Sequence, residues 1–319
     1  MAAPFFSVII PTYNRAHILG KALESVRAQS FKDFEVLVVD DGSKDDPCEI
    51  VQTFGDPRIR IIIRQDNAGG GAARNVGIDQ ARGRFVALLD SDDAFLPHHL
   101  ASMHALLEGT QGLVGYARVR VDRGGDRLFL KPPRAIRPGE DMATYLLCDR
   151  GFTPTSTLVV PREAAAKVRF DEHLRVAEDT DFAIRLASAG YRFAMLEKPG
   201  AVWQDEFDAN RLSASSGDAQ FKAWLSRLRS QIPTCAWHGA RGWAYAKLIV
   251  DQHRLLALGL YLNAVTRGCY RPSLAVVVGL QVFLGPRGYR RLADHAISRL
   301  RLGLREGQAK TPAHKLGQA

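Results

Sequence analysis

The chain has 319 residues, is 46% hydrophobic and carries a formal net charge of +9. That apolar content excludes a disordered or fibrous chain, and the length suits one large domain with an appendage or two modest domains. The positive balance points to an acidic partner, whether nucleic acid, anionic membrane or phosphorylated substrate, without choosing among them. Cys48, Cys148, Cys235 and Cys269 form no C-x-x-C pair. Neither a zinc site nor a disulfide framework is expected, and a reducing cytoplasm is.

Residues 1–10 lack a basic stretch and a small-residue cleavage site, so Phe5 to Ile10 reads as a first strand, not a signal sequence. Strand-like and helical runs then alternate: strand Phe6 to Pro11, helix Ala16 to Gln29, strand Glu35 to Asp40, helix Pro47 to Phe54, strand Arg58 to Ile63, helix Ala72 to Arg82, strand Phe85 to Asp90. Such alternation predicts βαβ units on a mostly parallel sheet. Leu19, Leu23 and Val26 form the stripe that lays the first helix on it. A helix Pro97 to Leu107, a β segment Leu113 to Val121, a polar turn Asp122 to Asp126, a proline-rich stretch Lys131 to Pro138 and a strand Ser156 to Val160 follow. A helix Asp179 to Ala189 is stopped by Gly190. One catalytic-type domain is expected over residues 1–214. A helical region follows over 215–307, with helices near 218–231, 238–266, 272–284 and 287–305, and then a disordered tail, 308–319. The longest late apolar run, Ser273 to Gly285, is interrupted by Gln281 and falls short of the ~20 residues that span a bilayer. No transmembrane helix is expected.

Three acidic clusters sit at strand ends or helix starts: Asp40-Asp41-Gly42-Ser43, Asp90-Ser91-Asp92-Asp93 and Glu178-Asp179. Each has a bland explanation, as an Asx turn closed by Gly42, as an N-cap, or as first-turn acids favoured by the helix dipole. In a parallel sheet, however, the first two converge on the carboxyl edge of the strands, where open α/β sheets bind ligands. Carboxylates crowded together repel, and a hard divalent cation carrying a diphosphate relieves them.

In order, Ser7 to Arg15 (SVIIPTYNR), Val39 to Ser43 (VDDGS), Ala72 to Gly77 (AARNVG), Leu89 to Asp93 (LDSDD) and Glu178-Asp179 resemble the inverting family 2 glycosyltransferases. The resemblance covers roughly residues 5–205. It implies the α/β GT-A fold and transfer of a sugar from a nucleotide-diphosphate donor, most often a UDP-sugar, to a saccharide or lipid-linked saccharide of a bacterial surface polysaccharide. By the same resemblance, Pro11, Thr12 and Tyr13 line the nucleotide pocket with Ser91, Asp41 accepts from the base, Asp90 lies near the ribose and Arg74 is a candidate diphosphate contact. Asp92 ligates Mg²⁺ or Mn²⁺, Asp93 caps the following helix, Asp179 is the general base, and Phe152 to Thr157 walls the acceptor pocket. A carboxylate for the acceptor proton and a metal for the leaving diphosphate are what direct displacement needs.

One departure stands out. Relatives often carry a metal-side histidine after the last strand, whereas Ala201 to Ser213 has none. Asp205 or Glu206 are candidates to replace it, and Arg211 to bind phosphate. Gly69-Gly70-Gly71-Ala72-Ala73-Arg74 imitates a dinucleotide fingerprint, but Arg74 stands where close packing wants a small residue, and no P-loop occurs. A sugar-nucleotide pyrophosphorylase would want a G-x-G-T-R start that is missing. A degenerate, non-catalytic relative acting as a scaffold is the other alternative. His98, His99 and His104 read as solvated helix histidines, and Asp181 as support for a helix start. The aliphatic stretch Leu274 to Leu284 and the run from Arg287 to Lys315 suit an anionic membrane surface, with a peripheral place on the inner face of the plasma membrane and no nucleic acid partner.

Overall fold

The computed structural model describes residues 3–123, 128–205, 217–285, 288, 289 and 291. Strands β1 (Phe6–Thr12), β2 (Phe34–Asp40), β3 (Ile59–Ile63) and β4 (Phe85–Leu88) pair in parallel in the order β3-β2-β1-β4. Their near-continuous apolar sequences follow from having both faces covered. Phe6, Val8 and Ile10 pack with Leu19, Leu23 and Val26 of α1 (Ala16–Arg27). Ile9, Leu37 and Val39 pack with Ala73 and Ile78 of α3 (Gly70–Gln80), the strand alternation sending successive side chains to opposite faces. Gly77 permits the close approach of α3: a Cβ there would lie 2.5 Å from Ile9 Cγ2. α2 (Pro47–Phe54) opens with the Asp46 side chain accepting from Glu49 N and closes at Gly55 in the left-handed region.

Beyond β4 the sheet becomes mixed. After β5 (Ala94–Phe95), α4 (His99–Leu107), β6 (Leu113–Asp122), β7 (Leu128–Lys131) and α5 (Met142–Cys148), β8 (Val159–Pro161) runs antiparallel to both β4 and β6. α6 (Arg162–Val168) and α7 (Glu178–Ser188) lead to β9 (Arg192–Gln204), which lies parallel to β6 with a register shift between Ala117 and Val119. The described residues form one nine-stranded sheet, β3-β2-β1-β4-β8-β6-β9-β5, with β7 on β6. This is the expected α/β, GT-A architecture. The strand expected over Ser156 to Val160 is a 3₁₀ turn, Thr155–Thr157, followed by β8.

Helices α8 (Asp218–Leu228), α9 (Thr234–Ala240), α10 (Ala246–Ile249), α11 (Arg254–Thr266) and α12 (Pro272–Phe283) follow. The single helix expected over 238–266 is interrupted by a π-helical turn, Arg241–Tyr245, and by a break before His253. The core of these helices is continuous with α5 and α7: Tyr145, Leu147, Ala183 and Ile184 share one cluster with Phe221, Trp224 and Tyr245. No helix among the described residues is long and apolar enough to cross a membrane. The helix expected at 287–305 and the tail 308–319 lie almost wholly outside the described residues, as does most of the turn 122–126.

The histidines differ from expectation. His99 is buried against Phe95, its ring nitrogens make no hydrogen bond among the described residues, and burial pushes its pKa down to about 3. His104 packs between Phe5 and Phe31, and His98 Nε2 lies 3.0 Å from the Pro199 carbonyl.

Glu35 fastens the sheet at the end remote from the acidic clusters. It accepts from Ser7 Oγ at 2.7 Å, Arg82 N at 2.7 Å and Arg82 Nη2 at 2.8 Å. Burial would raise its pKa, but the bonds from Ser7 and Arg82 prevail and hold it below the usual carboxylate range. Glu35→Ala should therefore lower stability by about 2 kcal/mol at neutral pH, measured by urea unfolding. Because the native carboxyl is the more acidic one, the difference from the wild type should shrink as pH falls below about 4.

Candidate active site

The parallel strands place Thr12, Asp40 and the residues after Leu88 along one edge, with Thr12 and Asp40 in register. A cleft of about 350 Å³ opens there, large enough for part of a nucleotide-sized ligand. Nine candidate residues line it: Pro11, Thr12 and Tyr13 from β1 and the residue beyond it, Asp41 after β2, Arg74 from α3, Asp90, Ser91 and Asp92 after β4, and Asp179 from α7; of the expected acceptor wall Phe152 to Thr157 only Thr155 joins them, and Asp205 is not among the lining residues. Residues separated by up to 168 positions in sequence thus share one cavity.

Asp41 organises the rim at residues 64–69. Its Oδ1 accepts from Arg64 and from Ala68 N at 3.2 Å, and Oδ2 accepts from Gly69 N at 2.6 Å. A carboxylate oxygen has two lone pairs, so Oδ2 retains acceptor capacity toward the cleft. Gly69, with φ +96°, makes this turn in a conformation that suits glycine.

Arg74 is only 6% exposed and bridges two acids: Nη2 donates to Asp90 Oδ1 at 2.6 Å and Nη1 to Glu178 Oε1 at 3.0 Å. Its guanidinium also lies 5.3 Å from the Phe170 ring centroid. Both charged partners raise its already high pKa against the burial that opposes them.

Asp92 pairs with Arg15 at 2.9 Å, with both side chains just over one quarter exposed, so the pair is exchangeable with ligand. Asp93 is no helix cap, because α4 begins at His99. Buried, it meets Ser156 Oγ and accepts from Gln204 N at 3.2 Å. Burial, together with the charges of Asp90 and Asp92, pushes its carboxyl well above the ordinary range.

At the other wall, Ala177 adopts the left-handed conformation, φ 60°, immediately before Glu178 and Asp179. A non-glycine residue held there is strained, and such strain gathers at sites where position matters. Asp179 Oδ1 accepts from Thr180 N at 2.6 Å. Burial, and then the neighbouring Glu178 charge, raise its pKa to about 6. Asp181 does more than start a helix. Its two oxygens accept from Trp224 Nε1 at 2.8 Å and Arg185 Nε at 2.7 Å, tying α7 to α8.

Six acids line the cleft against three arginines, Arg15, Arg74 and Arg175. An anionic diphosphate meets repulsion in such a site unless a cation accompanies it. Among the described residues no three acids, histidines or cysteines converge as a metal cage. A magnesium-like ion that keeps water and phosphate oxygens needs only one or two carboxylates, so Asp92, with Asp90 beside it, fits that role. Asp205 does not complete the set: its carboxylate pairs with Arg123 at 2.9 Å. Glu206 and Arg211 lie outside the described residues.

The sequence reading missed Arg15, Asn67, Arg175 and Trp203 as cleft residues. Arg15 stood inside a quoted motif and was legible. Arg175 reaches Asn67 Oδ1 at 3.3 Å and Trp203 arrives on β9, both through tertiary folding alone.

The Glycosyl transferase family 2 model matches residues 7–169. The chain belongs to that family. This glycosyltransferase is 34% identical over 203 residues to the amylovoran biosynthesis glycosyltransferase AmsB of Erwinia amylovora, a match spanning 61% of this chain and 67% of that one. Among solved structures, TarS of S. aureus in complex with UDP-GlcNAc superposes with TM-score 0.62 at 18% identity, over 96% of this chain and 92% of that chain. The mannosyltransferase PcManGT from Pyrobaculum calidifontis, in complex with GDP-Man and Mn²⁺, gives 0.55 at 18%, over 94% and 88%. These likenesses establish the fold, and the relatives' names favour sugar transfer over the pyrophosphorylase reading.

Because the Glu178 charge contributes to the raised pKa of Asp179, Glu178→Gln should lower it below the wild-type value near 6. Carboxyl ¹³C NMR titration of the folded protein reads this directly. An unchanged value would mean that burial alone sets it.

Proposed function

We propose that this glycosyltransferase moves a sugar from a nucleoside diphosphate donor, of the uridine type, to a saccharide acceptor of a surface polysaccharide, with inversion at the anomeric carbon. The observation that carries the reading is the single cleft joining the strand-end acids Asp41, Asp90 and Asp92 to Asp179, whose carboxyl is tuned to about 6. TarS with UDP-GlcNAc and the polysaccharide relative AmsB support the donor and the acceptor class.

Pro11, Thr12, Tyr13 and Ser91 shape the nucleotide pocket and Asp41 Oδ2 takes a hydrogen bond from the base. Asp90 is held toward the ribose by Arg74, whose guanidinium keeps further N–H donors for the diphosphate beyond its bonds to Asp90 and Glu178. Asp179 takes the proton of the acceptor hydroxyl as its oxygen bonds to the anomeric carbon and the bond to the diphosphate oxygen breaks. Mg²⁺ or Mn²⁺ held by Asp92 would stabilise charge on the departing diphosphate.

Asp179→Asn should reduce transfer about 10³-fold while leaving nucleotide affinity near wild type. A base must be unprotonated to act, so kcat/KM should fall as pH drops below about 6. Turnover is measured over a panel of sugar nucleotides with Mg²⁺ or Mn²⁺. No turnover and no nucleotide diphosphate binding across the panel would overturn the function, and unimpaired Asp179→Asn would favour a scaffold.

We also propose work at the cytoplasmic face of a membrane. Leu255, Leu258 and Leu262 are 85%, 40% and 48% exposed at i, i+3, i+7 on α11, Arg254 opens that helix, and the sequence from Arg287 to Lys315 is rich in arginine and lysine. The four free cysteines suit a reducing compartment. In co-sedimentation, anionic vesicles should retain the protein better than neutral ones, and L255Q/L258Q/L262Q should lose most of that retention.

A further inference from the structure

Arg15 sits where a helix start least favours it. It is the N-cap of α1, a place that prefers a short side chain whose oxygen accepts from the first amides, and it puts a cation at the positive end of the helix dipole. Its side chain makes no capping bond, and the first turn of α1 carries no acid to offset the charge. The backbone is nevertheless held firmly at this point. Asn14 is in the left-handed region, φ 52°, its N donating to Ser43 Oγ at 2.9 Å and its Oδ1 accepting from Lys44 N at 2.8 Å. Ala16 N donates to Asp45 Oδ2 at 2.7 Å. Residues 43–45, after β2, thus clamp the neighbours of Arg15 on both sides. From this fixed base the side chain reaches across the cleft to Asp92, after β4, with Nη1 2.9 Å from Oδ2.

That pair sets up a competition. Asp92 is the carboxylate that fits a divalent cation, and a guanidinium against one of its oxygens repels any second cation approaching the other. Both side chains are partly exposed, so the pair biases the exchange by only about three- to fivefold and does not block it. The displaced guanidinium keeps a use. It stays in the same cleft on its clamped base, and a diphosphate offers its planar fork a multidentate anion. Arg74, buried between Asp90 and Glu178, cannot leave those acids without stranding charge, whereas Arg15 changes partner at the surface of the cleft.

Resting on the reading that Asp92 holds Mg²⁺ or Mn²⁺ with the donor, we propose that Arg15 is an exchangeable counter-ion. It neutralises Asp92 before the donor arrives, gives Asp92 up to the divalent cation, and then binds the donor's diphosphate. Arg15 therefore opposes cation binding to the free protein and favours binding of the nucleotide together with its cation. Each ligand strengthens the other, and Arg15 carries part of that coupling.

The test follows Mn²⁺ binding to the full-length protein by loss of the free-ion signal in electron paramagnetic resonance, and UDP binding at saturating Mn²⁺ by isothermal titration. R15Q should bind Mn²⁺ alone about three- to fivefold more tightly than wild type. The same variant should bind UDP with Mn²⁺ about tenfold more weakly. A loosened fold would weaken both, so the opposite signs isolate the exchange. R15K keeps the charge and should bind Mn²⁺ alone as wild type does. In a D92N background, R15Q should bring no gain, because Asp92 is where the two cations meet. The proposal is overturned if R15Q binds Mn²⁺ alone no better than wild type, if it holds UDP with Mn²⁺ as tightly, or if the gain persists without Asp92. If wild-type protein binds UDP equally with and without Mn²⁺ and D92N changes nothing, the metal reading of Asp92 is at fault and the exchange falls with it. Mn²⁺ held through Asp92 but indifferent to R15Q removes the role of Arg15 alone.

Discussion

The wall of the cleft that carries Asp179 depends on one buried guanidinium. Placing Arg74 inside the protein carries a desolvation cost of several kcal/mol, tolerable only because Asp90 and Glu178 both meet it. Those acids come from structurally separate places, the end of β4 and the first turn of α7. The bridge therefore fixes the distance between the sheet edge and the helix that carries Asp179. Removing either carboxylate would leave a buried cation under-compensated, and removing Arg74 would leave two acids facing one another. Ala177, in its left-handed conformation just before Glu178, is held there in part by that grip. Asp181 anchors the same helix from behind through Trp224.

Charge at the cleft is graded by surroundings, not by residue type. Asp41 is matched by an arginine and two backbone amides, and Asp92 by Arg15 in an exposed, exchangeable pair. Asp93, buried beside the charges of Asp90 and Asp92, is pushed toward the neutral form. Asp179 lies between these cases, with a carboxyl near 6 that can both accept and release a proton close to neutrality. Four aspartates thus stand in four electrostatic settings through burial and neighbours alone.

The first half of the fold was legible because β1, β2 and β4 are buried apolar runs bounded by turn residues, and α1 shows a single apolar stripe. Beyond β4 those signals weaken. β9 runs through Glu197-Lys198-Pro199-Gly200, which reads as a turn, yet pairing with β6 and a register shift carry the strand across it. β8 is three residues long, so the strand expected from Ser156 begins only at Val159, and α5 and α6 span seven residues each, too few for a clear helical period. His99 looked solvated because sequence does not reveal that Gly200 leaves room for it in the core. In the site, local motifs named the strand-end acids, whereas Arg175 and Trp203 enter only through long-range folding.

The division of labour between the halves follows from what each contributes. The family model stops at residue 169, before Asp179, and so covers the parallel strands and their nucleotide-side acids. The helix bearing Asp179 stands between two cores: Ala183 and Ile184 pack with α5 and α8–α12, whereas Phe182 and Leu186 pack with Ile9, Leu37 and Val39 of the sheet. Changes in the late helices reach the ground beside Asp179 through Ala183 and Ile184, while Phe182 and Leu186 hold the same helix to β1, β2 and β4. Asp41, Asp90 and Asp92 thus depend on the sheet alone, whereas the position of Asp179 answers to the sheet and to the late helices together.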